Sequence, residues 1–174
     1  DLQHPATIVP GGSLDVGYVP DFPATGLALI SDGAVGEVVI ESGGESLRLA
    51  PEPVADNLWL VSWPAGFVPE KITLAASPAA AWPVAGLTVL NLNDQTWNIW
   101  WLNQDRMAVE PPVTGRFEGD EGLFIGPDEV DGRPILVRFI WTKLPPDQAR
   151  WEQAFSTDQG VSWETNWVME FQRR

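Results

Sequence analysis

The sequence predicts an all-β protein whose strands pair in antiparallel order. Residues 150–171 contain two runs of alternating apolar and polar side chains that flank a short polar turn, which is the pattern of a β-hairpin. Earlier in the chain, short β-type runs are separated by turn residues such as Ser31-Asp-Gly, Ser42-Gly-Gly and Pro64-Ala-Gly. No segment keeps the 3.6-residue apolar period of an amphipathic helix, so we expect no helix longer than a turn or two.

The predicted elements follow the chain in order. Residues 1–22 are rich in proline and glycine and form an extended lead-in with a short strand at 14–19. His4 lies in this lead-in and is predicted to be an exposed terminal residue. The remaining strands are predicted at residues 26–30, 36–40, 46–49, 58–63, 71–75, 86–92, 96–102, 113–118, 122–125, 133–141, 148–156 and 162–171.

Chain length favours one β-barrel domain formed by all of residues 1–174. The second half of the chain offers about seven strands, whereas a closed barrel commonly needs eight or more. The front half has the length that the missing strands require, and an open half-barrel would expose a long strand edge. The alternative is a small immunoglobulin-like sandwich followed by a partial barrel, with the boundary at residues 77–86.

Composition excludes several classes of function. A formal net charge of −14 disfavours nucleic acid and anionic membrane surfaces as partners. The chain has no cysteine and one histidine, so it lacks the usual zinc ligand sets, and we predict neither a metal nor a cofactor. No apolar run approaches the roughly 20 residues of a membrane helix. We therefore expect a soluble acidic protein, with the cytoplasm favoured, that has no nucleic acid or membrane partner.

Five segments of the second half together resemble a known family. They are Gly86-Leu-Thr-Val-Leu-Asn, Trp97-Asn-Ile-Trp-Trp, Pro111-Pro-Val-Thr-Gly-Arg-Phe117, Asp131-Gly-Arg-Pro-Ile-Leu-Val-Arg-Phe139 and the hairpin at residues 150–171. In this order and spacing they are similar to a bacterial family of unknown function with a calycin-like, lipocalin-related β-barrel. The resemblance covers roughly half of the chain, and it implies an antiparallel calycin-like barrel.

The hairpin turn also resembles a known motif. Ser156-Thr-Asp-Gln-Gly-Val-Ser-Trp163 fits the Asp-box pattern S-x-D-x-G-x-x-W. We expect Asp158 to accept hydrogen bonds from backbone N–H groups of the turn, Gly160 to permit a positive φ, and Trp163 to pack beneath the turn. In glycan-cleaving enzymes the motif lies away from the active site, so the resemblance predicts a folding device rather than a glycosidase.

Tryptophan is the unusual component, with ten residues against one tyrosine and one histidine. From residue 97 onward, strand alternation places aromatic side chains on one face of each strand, and we expect these faces to converge in the barrel lumen. A small barrel either fills its interior with side chains or holds one small ligand. The second case predicts binding of a small, mostly apolar or aromatic molecule. The predicted ligand-binding residues are Trp97, Trp101, Phe139, Trp141, Trp151, Gln153, Phe155, Trp167 and Met169.

The charged strand faces allow two interpretations. Alternation could bring the carboxylates of Glu152 and Glu164 close together, as glycoside hydrolysis requires. Arginines on neighbouring runs, Arg116 and Arg138, instead favour cross-strand ion pairs on a solvated sheet face.

Two other functions remain open at this point. One is a cyclase or isomerase that folds a flexible apolar substrate inside the cavity, with Arg138, Glu152 or Gln153 as the polar groups. No catalytic residue is assigned beyond these candidates. The other is a structural or dimerisation module, with residues 58–63 forming a homodimer through an exposed sheet edge.

Overall fold

A computed structural model describes residues 5–17, 19, 22–32, 36–55 and 57–172. His4 lies outside the described residues. All regular structure in the described ranges is β-strand, and every strand pair with a defined register is antiparallel. The prediction of an all-β antiparallel protein is confirmed. These ranges contain no helix that could cross a membrane.

Contacts between Cα atoms divide the chain into two compact units. Unit 1 comprises residues 1–95 and 99–110, and unit 2 comprises residues 96–98 and 111–174. The strands that begin in unit 1 are β1 (Ala6–Ile8), β2 (Ser13–Asp15), β3 (Gly26–Ser31), β4 (Gly36–Ser42), β5 (Glu45–Leu49), β6 (Glu52–Ala55), β7 (Leu58–Ser62), β8 (Lys71–Ala76), β9 (Trp82–Leu90) and β11 (Ala108–Val109). Strand β10 (Trp97–Asn103) contributes residues to both units. The strands of unit 2 are β12 (Val113–Glu118), β13 (Glu121–Val130), β14 (Arg133–Leu144), β15 (Gln148–Ser156) and β16 (Glu164–Gln172).

Unit 1 is a sandwich of two sheets. One sheet has the order β10-β9-β3-β7-β6, with β1 beside β9 and β11 beside β10, and the other has the order β2-β8-β4-β5. A single buried cluster contains Leu29 and Trp82 of the first sheet and Val38 and Leu74 of the second. The apolar side of each alternating strand therefore faces this shared core.

Trp82 lies at the centre of the unit 1 core and is fully buried. Its Nε1 donates a hydrogen bond to Ser31 Oγ at 3.1 Å, and that hydroxyl donates to the Pro83 carbonyl at 2.5 Å. The buried indole N–H and the buried hydroxyl are thus both satisfied, which removes the cost of burying them. A Cβ atom at Gly36 would lie 2.6 Å from the Trp82 ring, so any residue larger than glycine would collide with this ring.

Unit 2 is an antiparallel meander in which β12 to β16 pair in chain order. Strand β13 is longer than predicted, because residues 126–130 continue it up to a tight turn at Asp131 and Gly132, where φ is 51° and 74°. Two consecutive positive φ values fit the type I′ hairpin turn, whose twist matches that of the flanking strands. Among the described residues the strand order of neither unit closes on itself, so no closed barrel is found.

Two predictions about the first half change in the structure. The alternative of a dimerisation module places residues 58–63 at an exposed sheet edge, but β7 lies between β3 and β6, so this part of the alternative is wrong. The predicted strand at 14–19 is shorter, because β2 ends at Asp15. Residues 77–86, considered above as a boundary, lie within unit 1, and β9 begins there at Trp82.

Candidate aromatic binding face

The sheet of unit 2 carries its aromatic side chains on one face. Phe124 on β13 is paired with Phe139 on β14, which is paired with Gln153 on β15 and through it with Trp167 on β16. Residues that lie directly opposite each other in antiparallel strands share a face. This row therefore crosses four strands on one side of the sheet.

Further rows lie on the same side because strand alternation has a period of two. Trp141 is paired with Trp151, which is paired with Met169, and Val137 is paired with Phe155. We call this side of the sheet the aromatic face. Its members are Phe117, Phe124, Val137, Phe139, Trp141, Trp151, Gln153, Phe155, Trp167, Met169 and Phe171.

Trp151 is the centre of a cluster of aromatic rings. Its ring centroid lies 5.1 Å from that of Phe139, 6.4 Å from Trp141 and 5.3 Å from Trp167, which it meets nearly edge to face. Trp141 also stacks on Phe171 at 5.6 Å with an interplanar angle of 26°. These separations are those of favourable aromatic pairs, each worth about 0.5–1.5 kcal/mol beyond its buried area.

Burial divides the aromatic face into a packed interior and an exposed rim. Phe124 is 1% exposed, and Phe139 and Trp151 are each 3% exposed. Trp167 and Phe171 on β16 are 39% and 37% exposed. A ligand can therefore reach the rim without displacing side chains, whereas the interior is protein core.

A groove of about 590 Å³ lies at the Phe171 end of the aromatic face. Its size is within the range of small-molecule sites. Its lining residues are Asp120, Lys143, Leu144, Pro145, Asp147, Gln148, Ala149 and Phe171. The end of the β14–β15 hairpin supplies six of these eight residues, and a hydrogen bond from Lys143 N to the Asp120 carbonyl at 2.8 Å fixes this end of the sheet.

Lys143 lies where the groove meets the aromatic face. Its Nζ is 4.9 Å from the centroid of the Phe117 ring, a cation–π distance. The groove thus combines an aromatic wall, Phe171, with an ammonium group and the carboxylates of Asp120 and Asp147. A site of this kind has a mostly apolar surface and a few polar groups that can orient a ligand.

Most of the predicted ligand-binding residues come together on the aromatic face, namely Phe139, Trp141, Trp151, Gln153, Phe155, Trp167 and Met169. The other two are placed differently. Trp97 is the half-buried first residue of β10 in unit 2, and Trp101 belongs to unit 1, where a Cβ atom at Gly86 would lie 3.2 Å from its ring.

Sequence reasoning missed the groove itself. Phe171 shares the alternation of Trp167 and Met169, so the same signal could have placed it in the site. The residues of the β14–β15 turn carry no such signal, because a loop has no periodicity that relates its side chains to a sheet face.

A β-bulge changes which residues of β16 belong to the aromatic face. Gln153 is paired with Trp167 but Ala154 with Thr165, which leaves Asn166 as an extra residue. Uninterrupted alternation along residues 162–171 predicts Thr165 and Trp163 on the same face as Trp167. This prediction is wrong, since Thr165 is opposite Ala154 on the other face and Trp163 stacks there over Arg138.

The bulge also separates the two carboxylates that were considered as a pair. Glu164 is opposite Phe155 on the aromatic face, whereas Glu152 is opposite Ile140 on the other face. The hypothesis that Glu152 and Glu164 lie close together is therefore wrong. A sheet separates their side chains, so they cannot flank one glycosidic bond.

The three catalytic candidates do not converge either. Arg138 and Glu152 lie on the face opposite Gln153. The Arg138 guanidinium carbon is 4.6 Å from the centroid of the Trp163 ring, and Glu152 forms an ion pair with Arg150. This ion pair runs along one strand rather than across two, because residues two apart on a strand share a face.

The hairpin turn forms the hydrogen bonds expected of an Asp-box. Asp158 Oδ1 accepts from Ser162 N at 2.9 Å and from Ser156 Oγ at 2.8 Å, and Asp158 Oδ2 accepts from Ser162 Oγ at 2.6 Å. Gly160 has φ +90°, and Trp163 Nε1 donates to its carbonyl at 3.1 Å. The motif is a folding device here, as the sequence predicted.

The hydrogen bonds from the Ser162 side chain and backbone, and from Ser156, lower the pKa of Asp158 to about 2. Because this folded-state pKa is below the usual value of 3.8, the stabilisation is fully present above about pH 4 and is lost as the pH falls toward 2. We expect Asp158→Ala to lower the melting temperature at pH 7 by a few degrees and the difference from the unmodified protein to shrink as the pH falls toward 2.

Thermal unfolding followed by circular dichroism between pH 2 and 7 measures this difference. Thr157→Ala, in the same turn but outside these hydrogen bonds, is the matched control and should show no pH-dependent difference. A gap between the Asp158→Ala and unmodified curves that stays constant down to pH 2 would contradict the assignment.

No protein-family model, curated protein or solved structure matches this chain. The resemblance to calycin-like barrels stays a prediction from the five sequence segments.

Proposed function

We propose that this protein binds a small, mostly apolar or aromatic molecule at the groove end of its aromatic face. The observation that carries the proposal is the pair formed by Trp141 and Phe171. Their rings stack at 5.6 Å, and Phe171 remains 37% exposed as a wall of the groove. A planar ligand that lies against Phe171 would extend this stack and remove apolar area from water.

The rest of the groove supports a ligand with a polar end. Leu144, Pro145 and Ala149 add apolar surface, while Lys143 and Asp147 provide charge of both signs.

The arrangement favours binding over catalysis. Of the polar groups considered for a cyclase or isomerase, only Gln153 lies on the aromatic face, and its Nε2 donates to Asn166 Oδ1 at 3.4 Å. Preorganising a substrate for reaction needs polar groups aimed at the reacting atoms, and Arg138 and Glu152 lie on the other side of the sheet.

The neutral fluorescent probe N-phenyl-1-naphthylamine tests the proposal. We expect saturable binding, seen as quenching of tryptophan fluorescence and enhancement of the probe's own emission. Phe171→Ala should weaken this binding about tenfold or more, because losing a stacked ring removes about 1.4 kcal/mol or more. All ten tryptophans are retained in this variant, so the same quenching titration can be used, with each curve normalised to its own starting emission.

Val168→Ala is the matched control. Val168 is on the same strand and is 42% exposed, but its side chain lies on the opposite face. It should leave probe affinity unchanged. Saturable binding that both variants retain at the same affinity would refute the groove as the site, and an unchanged melting temperature in each variant confirms that both are folded.

A further inference from the structure

We propose that β16 pairs in antiparallel order with β16 of a second copy of this chain, forming a two-fold symmetric dimer. In the described residues β16 pairs only with β15, so its outer row of backbone N–H and C=O groups has no strand partner. Such an edge is a template for another strand, and natural proteins usually protect it with bulges, charges or proline. On β16 this protection is a bulge near the start of the strand.

The unprotected part of the edge is the segment Trp167 to Gln172. The bulge at Asn166 precedes it, Glu170 is its only charged residue, and it contains no proline. Its side chains are exposed on both faces of the sheet, at Trp167 and Phe171 on one face and Val168 on the other. A regular, mostly apolar strand of six residues therefore lies open at the end of the sheet.

The residues of this segment are complementary to those of a second copy that runs in the opposite direction. With the two-fold axis at Met169, Trp167 lies opposite Phe171 of the second copy, and Val168 lies opposite Glu170 of the second copy. Aromatic pairs directly across an antiparallel ladder stabilise it by about 0.2–1 kcal/mol each. Each Glu170 also has Arg150 opposite it on β15, which partly offsets its charge.

Other registers are less favourable. If the pairing register shifted by one residue, the aromatic side of β16 in one copy would lie beside the polar side of β16 in the other copy. An axis at Glu170 would set two carboxylates directly opposite each other, which is destabilising. An axis at Val168 or Trp167 would bring the bulged Asn166 into the ladder, and one at Phe171 would pair only residues 170–172. The axis at Met169 pairs residues 167–171 without a bulge and without opposed carboxylates, and Asn166 and Gln172 would face each other only beyond the ends of this ladder.

The dimer would continue the aromatic face from one copy into the next. The row Trp141–Trp151–Met169 would meet the same row of the second copy at the axis. A closed two-fold arrangement uses both edges at once and leaves no open strand at this end for further addition. This inference is independent of the proposed ligand, because the backbone edge rather than the groove carries it.

The chain has no cysteine, so a single introduced thiol tests the register. Met169→Cys would place two Cα atoms about 4.5–5.5 Å apart across the axis, within the range that a disulfide spans. With oxidised glutathione as the oxidant, two thiols would form one disulfide and two molecules of reduced glutathione. We expect most of the Met169→Cys protein to migrate as a covalent dimer on non-reducing gels.

Thr165→Cys is the matched control on the same strand. In this register its two copies would lie roughly 25 Å apart, too far for a disulfide. Leu60→Cys, at an exposed position of β7 in unit 1, reports dimers formed through other surfaces. Cross-linking of either control to the same extent as Met169→Cys would overturn the proposal.

Sedimentation of the unmodified chain provides the second measurement, which does not depend on any variant folding. We expect a concentration-dependent dimer that is favoured by raising the salt concentration from about 0.05 to 0.5 M, because salt screens repulsion between two copies of net charge −14. A monomer at all concentrations and both salt levels would overturn the proposal.

Discussion

Replacing Trp151 by alanine is expected to lower the free energy of unfolding by about 3–5 kcal/mol. Trp151 is 3% exposed, and its ring contacts those of Phe139, Trp141 and Trp167. The truncation would leave a cavity beneath three rings that are fixed on neighbouring strands and cannot all move into it. Denaturant unfolding followed by far-ultraviolet circular dichroism measures the loss without relying on tryptophan emission.

Trp167→Ala is the appropriate comparison. It removes the same ring from the adjacent strand, but Trp167 is 39% exposed and has fewer ring neighbours. We expect a loss of about 1–2 kcal/mol, because less apolar area returns to water and solvent can fill the space. Equal losses in the two variants would show that Trp151 is not the centre of the packed interior.

The burial of Trp151 determines how the binding proposal can be tested. A variant that unfolds the sheet also loses any ligand, so loss of binding in Trp151→Ala would not identify the site. Phe171 avoids this problem, because it lies at the rim with more than a third of its side chain exposed. The sequence alone makes no distinction between these two aromatic residues, since both follow the same alternation.

Elements with regular alternation and clear turn chemistry could be predicted from sequence. Strand β15 begins and ends where the pattern of residues 148–156 indicated. The prediction that Trp151 and Gln153 lie on one face of this strand and Glu152 on the other is correct. The Asp-box turn was also predicted in detail, because its hydrogen bonds join residues close in sequence. Local chemistry determines such features almost completely.

Features that depend on non-local pairing could not be predicted in the same way. The extra residue at Asn166 reverses the faces of Thr165 and Glu164, and nothing in the alternation of β16 marks it. The position of β7 inside a sheet depends on strands β3 and β6, which lie on either side of it. The groove depends on which turn comes to lie beside Phe171, a property of the folded sheet alone.

Gly115 provides a second substitution with a large expected effect. It lies in the interior of β12 opposite Phe124, and a Cβ atom there would overlap the Leu123 carbonyl oxygen and lie 2.6 Å from Phe124 Cα. Both obstacles are backbone atoms of the paired strand, so a rotamer change cannot relieve them. Gly115→Ala must therefore push β12 away from β13, which would break ladder hydrogen bonds and expose Phe124. We expect a loss of about 3 kcal/mol or more in denaturant unfolding, at the upper end of overpacking effects.

Gly119→Ala separates this steric cause from a general intolerance of substitution at glycine. Gly119 lies in the turn between the same two strands with φ +64°, and a Cβ atom there would have no neighbour within 4 Å. Its substitution costs only the strain of a left-handed backbone, about 1–2 kcal/mol. The two variants change the same hairpin by the same single methyl group, so the larger loss at Gly115 measures how closely β12 and β13 approach. A loss at Gly119 equal to or greater than that at Gly115 would mean that the turn, rather than strand contact, limits the stability of this hairpin.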